Sequence, residues 1–445
     1  MNSPVSQAPI DARVTELAPP DHTYLHMDKN SAPMHWSMIL QLESNGGFLG
    51  LDEVRARVRE RAGLFEIFRL GIRNGRWRKP EVVLADDTWD AGEHVTEFGF
   101  TDSAHLHRRV SKLLESPLPR PRPFWDITLF TPSAGAEEIG QWVLLRVHHS
   151  VSDGIAGAAF AALLADGEPE DLAEFERFAT SPRFRISGID PDQLTEAKAA
   201  YGDQHAAGGG KKRAWPALTK SGEREYALFT ASTRTLRKAA KGNDATVHEF
   251  LLAAIGRALS LNPPAGVDWA RSRGPETQDD VIRVTLPVTL DEQFRHTGNA
   301  VSVALLNLLG NEPDLERQIA RARGELETIA KRKPELYLAA ADDLPRAPLW
   351  GLQRAIVNAS MSHMHPDIHI GINPGFSRIR SVLGRSIVTL TPLSPLAGYS
   401  LSVTALILGH TTTFGVVTDA QALPGYAERF VAALDEVLRE ALPST

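Results

Sequence analysis

The chain contains no cysteine. That absence excludes disulfides, thiolate metal centres and a cysteine nucleophile together. Long apolar runs are also missing. The best of them, Gly157 to Ala165, falls far short of the roughly 20 residues that span a bilayer. The opening, MNSPVSQAPIDARV, has neither a basic n-region nor an apolar h-region, so no signal peptide is expected there. Basic charge is not in excess. Lys and Arg number 48 against 55 Asp and Glu, a net charge of -7, whereas a nucleic-acid surface wants a clustered basic face. No G-x-S-x-G elbow occurs, so a serine nucleophile of that kind is not expected either. The expectation is a cytoplasmic protein without a nucleic-acid partner, with peripheral membrane contact left open.

What is present suits a globular fold. The 445 residues are 42% hydrophobic and 23% charged, enough to bury a sizeable core in two or three domains. Residues 36–43 read as a strand. Residues 51–62 read as a helix, with Leu51, Val54 and Val58 at helical spacing, and 102–115 repeat that character. The segment SPLPRPRPFWD (Ser116 to Asp126) has too many prolines for a helix or a central strand and should feed a short strand from Trp125. Residues 141–149, QWVLLRVHH, are the strongest strand of the first half, and a small-residue helix is expected from Ile155. Residues 186–220, with the glycine triplet at 208–210, read as a linker. Further strands are expected at 281–288, 300–308, 367–372, 399–408 and 412–418. Thr246-Val247-His248-Glu249 has the form of a capping box opening a helix. Helices are also expected at 314–332 and 426–442. The simplest architecture is α/β (α+β): two similar halves, 1–185 and 221–445, around the linker 186–220.

Period-two geometry separates the adjacent histidines. Val143, Leu145, Val147 and His149 share one face of the strand; Trp142, Leu144, Arg146 and His148 share the other. The pair therefore cannot ligate one metal without breaking the strand, and no metal is expected. One histidine should look into a cavity while the other holds the loop. A histidine at a strand end before a tight turn suits general-base work near neutral pH. Asp153 reads equally as a helix N-cap or as the group that fixes the turn, two roles that are compatible. Gly154 is expected where the backbone turns tightly into the helix.

The segment HHSVSDG (His148 to Gly154) resembles the HHxxxDG motif of the acyltransferase superfamily that includes chloramphenicol acetyltransferase and peptide-synthetase condensation domains. Its context is similar to the bacterial wax ester synthase/diacylglycerol acyltransferase family. The similar stretches are Asp21-His22-Thr23-Tyr24-Leu25, Ala32 to His35, Val82 to Trp89, Pro117 to Asp126, Gly298-Asn299-Ala300-Val301-Ser302 and Asp367 to Gly375. The resemblance implies two chloramphenicol-acetyltransferase-like halves, each a mixed sheet with flanking helices, with a crossover linker and a tunnel between them. It implies His149 as base, Asp153 as its structural partner, and His148 and Gly154 in the catalytic segment. It also implies acyl-CoA as co-substrate rather than a resident cofactor, a fatty alcohol or diacylglycerol as acceptor, and no covalent acyl-enzyme.

The chain departs from the family where Asn-Asp is usual and His248-Glu249 stands, where the PLDR aspartate is Pro119, and in the late stretch Ala405 to Gly409. Asn299, Ser302, His248 and Glu249 are carried as substrate-side candidates. A specialised-metabolite hydroxyl or amine as acceptor, a carrier-protein donor, and a catalytically inactive binding homologue stay open. His363, His365 and His369 have a spacing that invites a metal reading, but Pro366 interrupts the run and a structural or surface role is expected. GGGKKR (Gly208 to Arg213) lacks the upstream glycine and the following Ser or Thr of a phosphate loop, so it reads as solvated linker. Contact of Lys211, Lys212, Arg213 and Trp215 with an anionic membrane surface or with the CoA phosphates is its functional alternative.

Overall fold

The computed structural model describes residues 17–44, 47–73, 80–85, 89–119, 122–154, 157–161, 163–167, 186, 188–208, 214–269, 280–290, 298–342, 349–374 and 381–442. Two six-stranded sheets organise the chain, with a small hairpin of β2 (Leu70–Arg73) and β3 (Glu81–Leu84) beside the first. The first sheet has the order β11-β12-β1-β6-β5-β4: β11 (Ser381–Val382), β12 (Arg385–Leu393), β1 (His35–Leu42), β6 (Gln141–His148), β5 (Trp125–Pro132) and β4 (Val95–Phe100). The second has the order β7-β14-β13-β10-β8-β9: β7 (Arg224–Ser232), β14 (Thr411–Asp419), β13 (Leu401–Leu408), β10 (Ile368–Pro374), β8 (Val281–Thr289) and β9 (Val301–Leu309). The helices are α1 (Pro19–Met27), α2 (Leu51–Ala62), α3 (Ser103–Glu115), α4 (Ala158–Ala161), α5 (Pro191–Ala207), α6 (Thr233–Gly242), α7 (Val247–Leu261), α8 (Leu315–Arg332), α9 (Glu335–Asp342), α10 (Trp350–Met364) and α11 (Tyr426–Glu440). Among the described residues, no helix is long and apolar enough to cross a membrane.

β6 shows why the sequence folds this way. Val143, Leu145 and Val147 enter one core with Val54 and Val58 of α2. Trp142 and Leu144 enter another with Leu106 and Val110 of α3. Burying each such side chain stabilises by roughly 1.5–3 kcal/mol, more than the ~1 kcal/mol span of strand propensities. Burial on both faces therefore fixes this strand and its register. The one charge among these residues, Arg146, donates to both carboxylate oxygens of Asp126 (2.8 and 2.5 Å) and to the Leu113 and Ser116 carbonyls. The second core gathers Phe250, Leu251, Ala254 and Ala258 of α7 against the second sheet and α11.

The structure corrects the division by sequence position in two places. Residues 186–220 are not a plain linker, because 191–207 form α5. Asp190 caps it by accepting from the Asp192 and Gln193 amides. Buried Arg283 of β8 fastens its end by donating to the His205 and Gly208 carbonyls (2.8 and 2.6 Å). Residues 381–393, assigned above to the second half, join the first sheet, with β12 antiparallel to β1. This exchange needs close backbone contact. A Cβ at Gly415 of β14 would lie 1.9 Å from the Pro392 carbonyl oxygen, so only glycine lets β14 approach β12. Trp215, a candidate surface residue, is buried against Trp269 and Tyr426. Residues 209–213, 155–156, 86–88 and Arg120 lie outside the described residues.

Candidate active site

His149 follows β6 at the seam between the sheets, and its amide donates to the Met34 carbonyl (2.8 Å). The period-two separation of the two histidines holds. His148 packs on Phe124, accepts from the Ser150 amide at Nδ1 (3.1 Å), and turns Nε2 toward the Asp28 carboxylate at 3.7 Å. Its proton therefore sits on Nε2, and its role is to hold the turn.

His149 faces the other way, into a cavity of about 320 Å³ between the halves. Tyr24 of α1 stacks on its ring, with centroids 3.7 Å apart and planes 5° from parallel. Its Nδ1 meets the Asn299 Oδ1 at 2.9 Å. The polarity of that bond is fixed from outside. The Asn299 Nδ2 donates to the Asp21 carboxylate (2.8 Å) and to the His149 carbonyl (2.6 Å), so its oxygen must face the imidazole. An amide oxygen only accepts. Nδ1 thus carries the proton and Nε2 offers its lone pair. Desolvation pushes the His149 pKa down to about 4, against the upward pull of the Asn299 hydrogen bond. The imidazole is neutral at pH 7.

Asp153 serves the same seam. Its carboxylate accepts from the Ala300 amide (2.9 Å), its own amide donates to the Gly298 carbonyl (3.3 Å), and its carbonyl accepts from the Gly157 amide. The carboxylate bond to Ala300 thus crosses to the second half. Arg146 is committed to Asp126, and Arg122 lies 3.8 Å from Glu93. Trp36 Nε1 donates to the Ser152 carbonyl and braces the turn. Gly154 lines the cavity, but its φ is not left-handed and a Cβ there meets nothing within 4 Å. The tight approach expected at Gly154 occurs instead at Gly157, where a Cβ would lie 2.8 Å from the Trp36 ring.

Of the substrate-side candidates, Asn299 holds the His149 ring and Ser302 lines the cavity while donating to the Glu335 carbonyl (2.8 Å). His248 and Glu249 are corrections, since neither lines the cavity. Glu249 completes the capping box of α7 with Thr246 and pairs with Arg323, because an exposed helix start needs its amides satisfied. His369, read above as structural or surface, lines the cavity from β10. His363 lies elsewhere, its carbonyl meeting the His205 Nε2 at 2.9 Å. Among the described residues no group of three or more His, Asp or Glu side chains is placed to hold a metal. Sequence reasoning also passed over Tyr399, Thr285 and Asn373, which line the same space. Alternation along DIHIGIN was the available signal: His369, Gly371 and Asn373 share the face opposite Ile368, Ile370 and Ile372.

Residues 17–192 match the profile described as the wax ester synthase/diacylglycerol acyltransferase catalytic domain. Over that span the chain is similar to the family. The matched span carries the His148–Gly154 segment together with Asp21 and Tyr24. A Mycobacterium tuberculosis protein named a probable diacyglycerol O-acyltransferase is 25% identical over 374 residues, covering 75% of each chain. The fold is shared with a wax ester synthase/diacylglycerol acyltransferase from Marinobacter aquaeolei VT8 (TM-score 0.64, 17% identity, 96% of this chain and 98% of that one). It is also shared with a trichothecene 15-O-acetyltransferase from Fusarium sporotrichioides (TM-score 0.66, 11% identity, 96% and 94%). The two sheet-and-helix halves of this chain thus have the fold of both structures.

Proposed function

We propose that the protein is an O-acyltransferase that moves an acyl group from an acyl-CoA thioester to a hydroxyl acceptor, with His149 as general base. The carrying observation is the locked polarity of His149: Nδ1–H on Asn299 and the Nε2 lone pair on the cavity. The match of residues 17–192 to the family profile and the diacylglycerol acyltransferase names of the relatives support the reaction class.

In this mechanism the acceptor O–H gives its proton to Nε2 as its oxygen attacks the thioester carbonyl carbon. The tetrahedral intermediate collapses with cleavage of the C–S bond. The imidazolium proton passes to the departing sulfur, giving the free thiol, and the new ester leaves. The low pKa of His149 makes that return transfer favourable. Tyr24, stacked on the ring, favours the transient imidazolium through its π face. No covalent acyl-enzyme is needed. Methionines 27, 38, 361 and 364 and Leu338 line the cavity and adapt to a flexible acyl chain.

The test is thiol release from acyl-CoAs with hexadecanol, a diacylglycerol or no acceptor, and in parallel from an acyl-carrier protein. Acceptor-dependent release that falls at least about a hundredfold in a folded His149→Ala variant is the expected result. Undiminished release in that variant removes the base from His149. Release only from the carrier protein moves the donor to that class. No release from any donor favours an inactive binding homologue.

A further inference from the structure

The mechanism leaves two cavity imidazoles unused, His26, which stacks on Trp350, and His369. His369 sits on β10, whose alternation also brings Gly371 and Asn373 to the cavity. Its Nδ1 meets the hydroxyl of Thr285, its register neighbour on β8, at 3.1 Å. Tyr399 stacks on its ring (5.2 Å, 12°) and is itself tied by a hydrogen bond to the Pro395 carbonyl (3.1 Å). The ring is therefore held from two sides, with Nε2 left toward the space over Gly371. A Cβ at Gly371 would lie 3.5 Å from the His369 Nε2 and 3.7 Å from the Asn373 side-chain nitrogen. The missing side chain keeps open a small space at which a ring nitrogen and an amide converge.

The chemistry of that space is neutral. Among the described residues lining the cavity there is no lysine or arginine to hold an anion. Desolvation, with His149 adding repulsion, keeps His369 uncharged at pH 7. An imidazole and a carboxamide together can both accept and donate. A hydroxyl group, which does both through one oxygen, is the matching guest.

We propose that His369 and Asn373 form a subsite for a second hydroxyl on the acceptor, so that the cavity selects a diol-like acceptor over a simple long-chain alcohol. The proposal rests on the acyl-transfer reading for its catalytic consequence. It departs from a fatty alcohol or a diacylglycerol, each of which offers only the hydroxyl that reacts. His369 is a specificity-determining residue here, and His149 alone moves the proton.

The test compares hexadecanol with hexadecane-1,2-diol, in turnover with acyl-CoA and in equilibrium binding followed by tryptophan fluorescence, since Trp36 lines the cavity. The wild type is expected to favour the diol about tenfold in kcat/KM and in Kd, the worth of one or two neutral hydrogen bonds. His369→Leu should erase that preference through the diol's KM, and His369→Gln should restore part of it. Asn373→Ala makes the same prediction and serves should His369→Leu not fold. Equal effects on both acceptors, a rise in the KM of the acyl-CoA alone, or no diol preference in the wild type would each overturn the subsite. A diol preference in binding without any thiol release would keep the subsite and sink the acyl-transfer reading.

Discussion

His149 and His369 stand in one cavity, the first brought by the first sheet and the second by the other. Each has Nδ1 engaged and one face covered by a tyrosine, Tyr24 or Tyr399. Each is pushed down to about 4 by desolvation. They differ in what holds Nδ1. The partner of His149 is an amide whose orientation is fixed by Asp21 and by the His149 carbonyl, so one tautomer is imposed. The partner of His369 is a threonine hydroxyl that itself donates to the Ile368 carbonyl at 3.4 Å, a longer and looser hold than the amide behind His149. Burial and pKa are thus nearly the same in the two, and the group behind the ring separates the proposed base from the proposed binding residue.

The comparison breaks most directly at Asn299. Asn299→Leu removes the lock and should lower kcat about a hundredfold with little change in KM, the scale on which supporting hydrogen bonds act. An equal loss from Thr285→Val would contradict the distinction. A smaller effect is expected from charge. The wild-type acid limb of kcat/KM should lie well below pH 6.5, because His149 stays neutral until the pH nears 4. Asn299→Asp sets a carboxylate against Nδ1 and should move that limb upward; a limb that stays put would deny the contact. Stability follows the same sign. Between pH 6.5 and 4 the unfolded chain binds protons that the two buried imidazoles refuse, so the urea midpoint should fall across that window as pH drops. His369→Leu should flatten the fall.

Gly415 stands at a close approach between the halves and Gly154 in open space. Gly415→Ala forces β12 and β14 apart and should cost about 1–3 kcal/mol in denaturant unfolding. Gly154→Ala meets open space and should leave stability nearly unchanged, whatever it does to substrate. Smallest is Glu249→Ala, about 1 kcal/mol of stability through the lost cap, with kcat and KM untouched. Altered kinetics in that variant would return Glu249 to the substrate side.

Much of the scaffold was legible because burial repeats locally. The strands at 141–148 and 281–289 and the helices at 51–62 and 315–332 carry periodic apolar faces, and their bounds fall within a residue or two of expectation. Helix α1 was not legible, because polar Asp21, His22 and His26 are buried in it beside Leu25 and Met27 and break any apolar stripe. α5 hid in the same way, burying only Ala197, Ala200 and Gln204. The transfer of β12 to the first sheet leaves no local trace either. At the site, the motif located His149 and the turn, and resemblance carried Asn299. The bond between them spans 150 residues, and that from Asn299 to Asp21 spans 278, so no spacing rule could state it. His369 was masked by its neighbours His363 and His365, which drew a metal reading onto a residue whose face pointed elsewhere.

The central claim is the tautomer of His149, and nitrogen NMR of histidine-labelled protein measures it, with His149→Ala supplying the assignment. The account predicts a neutral Nδ1–H form at pH 7 that persists to about pH 5. A proton on Nε2, or an imidazolium already present near pH 6.5, would contradict it.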